Sequence, residues 1–188
     1  KSGDPGILNI DYMKSHTNVN YFEEIEVTNP CGEIPLPAYG NCCLGHVNLN
    51  HMVLEDGSDV DWKKLARTVR SGVRFLDNVL TINGFPLEEC KSAGHRSRRI
   101  GLGVTGLHYM LIKLGLRYGS PKSLEFVERL FTTIRNEAYI SSSYLARDKG
   151  SFAAFDRDKY LAQPFAKELP ARIRMLIRQH GIRNAVSL

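Results

Sequence analysis

Three of the four cysteines of this chain fall within one stretch, Thr28 to Cys43, which reads TNPCGEIPLPAYGNCC. A metal site, a disulfide or a reactive thiol could each be built from it. Cys31, Cys42, Cys43, His46 and His51 offer enough ligands for zinc. Structural zinc sites pair their cysteines across a short spacer, however, and Cys42 and Cys43 are adjacent, which argues against a shared tetrahedral ion. A vicinal Cys42–Cys43 disulfide would be strained, and four cysteines in 188 residues do not make a secreted disulfide framework. The third chemistry is nucleophilic or redox. If Asn29 to Glu33 is extended, the side chains at 29, 31 and 33 share one face. An amide, a thiol and a carboxylate would then stand ready to hold, attack and deprotonate a small polar substrate. An exposed loop with an incidental cysteine explains the same spacing equally well. A Cys–His hydrolase would need a defined base, and no histidine is singled out for that role.

The elements that must position these residues divide near Asp59. Residues 1–58 are rich in Pro, Gly and Asn, with short β-like runs (GILNI, EEIEV, HVNL), and predict turns and strands with at most a short helix after GDPG. Pro30, Pro35 and Pro37 exclude a helix through the cysteine stretch and favour extended backbone. Residues 59–188 are mainly helical with short strands. Trp62, Leu65, Ala66, Val69, Val73, Leu76, Val79 and Leu80 have helical spacing, with Asp59 or Asp61 as the N-cap and NGFP as the end. HRSRRIGLG reads as a charged loop entering a short strand or turn. VTGLHYMLIKLG reads as a second helix, closed by Gly115. Ser120-Pro121 is a strong helix start, and that helix runs toward Gly150. A last helix covers about Pro170 to His180, and IRNAVSL closes as a strand. The fold class is α/β, in one domain with no internal repeat.

Other motifs are open to plainer readings. GLGVTG (Gly101–Gly106) matches the dinucleotide-binding pattern, but GHRSRRI is a poor buried strand to precede it, and close packing explains the glycines better. Arg96, Arg98 and Arg99 could bind phosphate or form a solvated turn, the latter being favoured. Arg172, Arg174, Arg178 and Arg183 mark a basic helix facing solvent or a missing partner segment. A net charge of +5 suits a phosphorylated substrate without indicating a nucleic-acid surface. The most apolar run, IGLGVTGLHYMLIKLGL, is too short and too interrupted to span a bilayer, and no signal peptide is recognisable. We therefore expect a cytoplasmic chain with reduced thiols. Its start at Lys1 and its apolar end suggest a piece of something larger.

TNPCGEIPL followed by CCLGHVNLNHMV resembles the catalytic loop of the ribonucleotide reductase large subunit, usually written N-x-C-x-E and then C-N-L-G-S-I-N-L. GDPGILNID upstream, and VRSGVRFLDNVLTINGFPL and RRIGLGVTGLHYMLIKLGLRY downstream, resemble neighbouring family segments in the same order, so the likeness covers nearly the whole chain. The wording NPCGE resembles the adenosylcobalamin-dependent class more than the class whose radical comes from a separate metal-containing subunit. The resemblance implies part of a ten-stranded α/β barrel with a central finger loop. It implies that Cys31 becomes a thiyl radical that takes the 3′-hydrogen of a ribonucleotide. Glu33 would take the 3′-hydroxyl proton and Asn29 would orient the ribose, while Cys42 supplies one of two reducing equivalents and ends as half of a disulfide. Thr28, Gly32 and Gly45 would line the substrate. No resident metal is implied for this stretch. The implied partners are the ribonucleotide, the remaining segments of the parent subunit, a thioredoxin-type reductant and a second copy of the subunit, but neither membrane nor nucleic acid. The upstream redox cysteine, phosphate-binding loop, allosteric nucleotide site and C-terminal cysteine pair of that family are not recognisable here. The segment alone is therefore expected to be inactive. Cys43 and His46 depart from the pattern, standing where the family usually has Asn and Ser.

Overall fold

A computed structural model describes residues 6–41 and 43–187, and Cys42 lies outside them. The first helix, α1 (Ile10–His16), is capped by the Asn9 side chain, which accepts from the Tyr12 amide at 3.2 Å. Two short strands follow, β1 (Val27–Thr28) and β2 (Pro35–Leu36), paired antiparallel with Val27 opposite Leu36. The longer strand β3 (Cys43–Asn48) then runs parallel to β4 (Ile100–Thr105), and β4 runs parallel to β5 (Val186–Ser187). The order β3-β4-β5 leaves β3 and β5 each bonded only to β4 among the described residues. Among the described residues the sheet is open and does not close into a barrel.

Parallel neighbours need a crossover, and helices supply both of them. Between β3 and β4 lies α2 (Trp62–Ile82), started by Asp61, whose carboxylate accepts from the Lys64 amide at 2.8 Å. Its apolar stripe of Leu65, Val69, Val73, Leu76 and Leu80 is fully buried, as helical periodicity requires. That stripe packs against Val47, Ile100 and Leu102 of the sheet and against Leu130, Ile134 and Ala138 of α5 (Pro121–Lys149). Ser120 caps α5 with proline at its first turn, and Gly150 ends it. The segment from β4 to β5 also contains α4 (Leu107–Lys113), α6 (Arg157–Leu161), α7 (Pro164–Glu168) and α8 (Ala171–His180). Helix α4 joins the first cluster through Met110, while α6, α7 and α8 build a second apolar cluster with α5, around Tyr139, Phe152, Tyr160, Ile173 and Ile177.

Of HRSRRIGLG, residues 95–97 end a helix, α3 (Glu88–Ser97), Arg98 and Arg99 make a two-residue link, and the expected short strand follows as β4. Helix α3 lacks a strong apolar stripe. Glu88 and Glu89 in its first turn and His95 and Arg96 in its last complement the helix dipole. The GLGVTG glycines are strand β4 itself plus the entry to α4. A dinucleotide loop would place them in the turn after a strand. Gly103 has a packing use: a Cβ there would lie 2.9 Å from the His46 ring on the neighbouring strand.

Candidate active site

Cys31 stands at the tip of the β1–β2 hairpin. The Asn29 carbonyl accepts from the Gly32 amide at 3.0 Å, closing a β-turn over Asn29-Pro30-Cys31-Gly32. Asparagine first, proline second and glycine fourth are the residues such a turn favours. Gly32 has a φ of +82°, which an L side chain adopts only with strain. The extended conformation expected for Asn29 to Glu33 is therefore replaced by a turn, and the alternation that put 29, 31 and 33 on one face does not hold. Proximity at a tight tip takes its place.

The arms of the hairpin are anchored and its tip is free. Ile25, Ile34 and Leu36 are buried, while Cys31 and Glu33 are exposed. Asn29 is half-buried. Its backbone amide donates to the Ile34 carbonyl at 3.3 Å, and its Oδ1 accepts from the Ile34 amide at 3.0 Å. With the side-chain oxygen engaged, the Nδ2 hydrogens are what Asn29 can offer a bound hydroxyl. Thr28 is paired with Pro35 at the base of the loop. The arm before β1 is held by a buried ion pair between Glu23 and Arg99.

Strand β3 sorts its residues by face. Cys43, Gly45 and Val47 look toward α2: Cys43 packs on the apolar core, and a Cβ on Gly45 would lie 3.3 Å from Leu76. Leu44, His46 and Asn48 are exposed on the other face. Burial pushes the Cys43 thiol above its ordinary pKa, so it stays protonated and poorly nucleophilic. Cys31, Cys43 and Cys90 are free thiols. Among the described residues no three His, Cys, Asp or Glu side chains gather in a way that could hold a metal ion, and no helix is long and apolar enough to cross a membrane.

The arginine motif is neither a solvated turn nor a phosphate cradle. Arg98 and Arg99 are buried, paired with Asp77 and Glu23 respectively, while Arg96 is exposed with its guanidinium 5.2 Å from the centre of the Phe22 ring. Of the C-terminal arginines, Arg172, Arg174 and Arg178 are exposed. Arg183 turns inward, donating to the Lys149 and Gly150 carbonyls at 3.1 Å and to Asp77.

Residues 1–188 match the family model described as the ribonucleotide reductase barrel domain. The chain belongs to that family. It is 41% identical over 155 residues to the vitamin B12-dependent ribonucleoside-diphosphate reductase of Thermoplasma acidophilum, covering 82% of this chain and 20% of that protein. The enzyme of the same name from Mycobacterium tuberculosis is 40% identical over 158 residues, 84% of this chain and 22% of its own. The ribonucleoside-diphosphate reductase subunit alpha of Chlamydia muridarum is 34% identical over 202 residues, 94% of this chain and 19% of that subunit. The chain thus spans about a fifth of the length of the curated relatives it matches. Within this segment, the hairpin tip carries an amide, a thiol and a carboxylate between Asn29 and Glu33, with Cys31 and Glu33 exposed and Asn29 half-buried.

Proposed function

We propose that this chain is the part of an adenosylcobalamin-dependent ribonucleotide reductase that carries the radical cysteine. In this reading β3, β4 and β5 belong to the family's ten-stranded barrel, residues 1–188 form one segment of it, and the β1–β2 hairpin is its finger loop. The observation that carries the proposal is the exposed Cys31 thiol on a closed, proline-stiffened turn, flanked by Asn29 and Glu33. The relatives named as vitamin B12-dependent support the choice of cofactor.

Adenosylcobalamin supplies, when bound, an acceptor for a hydrogen atom from a thiol, and Cys31 is the side chain of this chain that would meet it. The Cys31 sulfur then takes the 3′-hydrogen of the ribose. Glu33 accepts the 3′-hydroxyl proton, which eases loss of the 2′-hydroxyl as water. Asn29 holds the ribose through Nδ2. Cys42 and a second thiol from elsewhere in the parent subunit together give up two electrons and two protons. These complete the departing water and place a hydrogen at C2′, and the two thiols end as a disulfide to be re-reduced by a thioredoxin-type protein. Cys31 returns its hydrogen to C3′ and Glu33 its proton to the 3′-oxygen. Cys43 takes no part, because it faces the core.

The parent enzyme carrying Cys31→Ala tests this. Ribonucleotide reduction should vanish in Cys31→Ala and persist in Cys43→Ala. Turnover that survives Cys31→Ala would overturn the assignment.

A further inference from the structure

The link Arg98-Arg99 at the entrance of β4 is clamped at both ends by the approach to β5. The Ser97 carbonyl accepts from the Ala185 amide at 3.0 Å, and the Ile100 amide donates to the Ala185 carbonyl at 3.4 Å. Between them the Arg98 carbonyl accepts from Asn184 Nδ2 at 3.2 Å, and the Arg98 side chain pairs with Asp77 of α2 at 2.7 Å. The left-handed backbone of Arg98, φ 46°, is one that a non-glycine residue keeps where its surroundings impose it. Arg99 therefore projects from a fixed point. Its partner is Glu23, on the arm that leads into the β1–β2 hairpin, and the two side chains are only 6% and 7% exposed.

Beyond Glu23 the hairpin is laced into one body. The Glu26 amide donates to the Leu36 carbonyl at 2.9 Å, and the Asn29 amide to the Ile34 carbonyl at 3.3 Å. Only Glu24 and Ile25 separate Glu23 from that ladder. Ile25, Ile34 and Leu36 bury the apolar side of the body, but apolar burial is non-directional and tolerates sliding. The return arm is tied by Asn41, whose Nδ2 donates to the Cys90 carbonyl of α3 at 2.9 Å, after the turn closed from Gly40 to Pro37. An ion pair differs from apolar contact in fixing both distance and direction. Desolvating two charges leaves such a pair little net stability, and register is its best-attested use.

We propose that Glu23 and Arg99 are positioning residues for Cys31: their pair sets where the hairpin stands on the sheet, and with it the rate of hydrogen transfer at the sulfur. This rests on the reading of Cys31 as the radical cysteine and adds the residues that aim it. Neither side chain meets the substrate. A displacement of about 1 Å at a reacting atom can cost about 100-fold in rate, so a small shift of the hairpin is enough.

The parent enzyme carrying Glu23→Met together with Arg99→Met tests this, because two methionines fill the buried volume without leaving a lone charge. Its urea midpoint should stay close to that of the wild type. The peptide covering residues 29–36 should exchange its amide hydrogens faster, read by mass spectrometry. The kcat should fall about tenfold or more, and KM should change less than kcat. Wild-type kcat, unchanged exchange, or an activity loss that only follows a lower folded fraction would each overturn the proposal. Should the double variant fail to fold, Glu23→Asp decides, since it keeps the charge and retracts the carboxylate by one methylene. A lower kcat at an unchanged midpoint then supports the proposal, and wild-type kcat overturns it. Cys31→Ala in the same enzyme tells the two readings apart. If it is inactive while the double variant is fully active, the positioning role alone fails; if it is active, the radical assignment fails and the positioning role with it.

Discussion

Asp77 and Arg98 are joined by two hydrogen bonds to one carboxylate oxygen, from Nε at 2.9 Å and from Nη2 at 2.7 Å, with side-chain exposures of 0% and 7%. Arg98 holds a left-handed backbone conformation, φ 46°, as it does so. Around the same carboxylate lie Lys149 at 3.1 Å, Arg183 at 3.2 Å and the Asn184 amide at 3.0 Å. One aspartate therefore ties α2 to the C-terminal end of α5, to the entrance of β4 and to the approach of β5. The surplus of cations is offset in part by the α5 carbonyls, which Arg183 caps.

Removing the carboxylate should cost much more than an average substitution. In Asp77→Ala the Arg98 guanidinium would remain buried without its partner, a situation that costs about 3–5 kcal/mol. Urea denaturation of the variant should show that loss in the transition midpoint. A loss below about 1 kcal/mol would mean that the pair behaves like a surface ion pair and that burial does not matter to it.

The same carboxylate predicts an acid limb. Burial alone would raise the Asp77 pKa, but hydrogen bonds and charge from Arg98, together with Lys149 and Asn184, outweigh it and hold the carboxyl below its ordinary value. A depressed folded-state pKa means stability that is fully present above the unfolded value of about 3.9 and lost as pH falls through the folded one. The wild-type chain should lose this share below about pH 4. Asp77→Asn, already less stable at neutral pH, should show a shallower fall over the same range. Parallel slopes in the two proteins, read from urea midpoints against pH, would remove Asp77 from the account.

Thiol labelling should separate the cysteines that the sequence places so close together. Cys31 is exposed at a turn, whereas Cys43 is half-buried against the core with its thiol pushed up by burial. Brief treatment of the native chain with iodoacetamide, followed by peptide mass spectrometry, should modify Cys31 well before Cys43. The order should disappear in denaturant. Equal native rates would contradict the placement of Cys43 on the α2 face of β3.

How much of this was legible depended on how local the cause was. Helices α2, α5 and α8 announce themselves through apolar periodicity and through caps at Asp61, Ser120, Gly150 and Gly181, all set by residues a few positions apart. The turn at Asn29-Pro30-Cys31-Gly32 was also written locally, but proline and short β-like runs on either side pointed equally to extended chain. Arg98 and Arg99 were illegible for a different reason. Their partners Asp77 and Glu23 are 21 and 76 residues away, so a run of arginines looks solvated until the fold buries it. The faces of β3 fall between these cases: alternation separates Cys43 from His46, but only the α2 crossover decides which of the two is inside.

The contact between His46 and Gly103 gives a prediction about that outer face. The two residues are register partners on β3 and β4, and a methyl on Gly103 would fall 2.9 Å from Cδ2 and 3.1 Å from Nε2 of the imidazole. The glycine is thus the space the ring occupies. Gly103→Ala should force the exposed ring to another rotamer and cost about 1 kcal/mol. In a His46→Ala background the obstruction is gone, and the same change should be neutral or stabilising by up to about 1 kcal/mol, because alanine restricts the unfolded chain. The double-mutant cycle should therefore show a coupling of about 0.5–3 kcal/mol. Additive effects in urea denaturation would mean that the ring does not depend on the missing side chain.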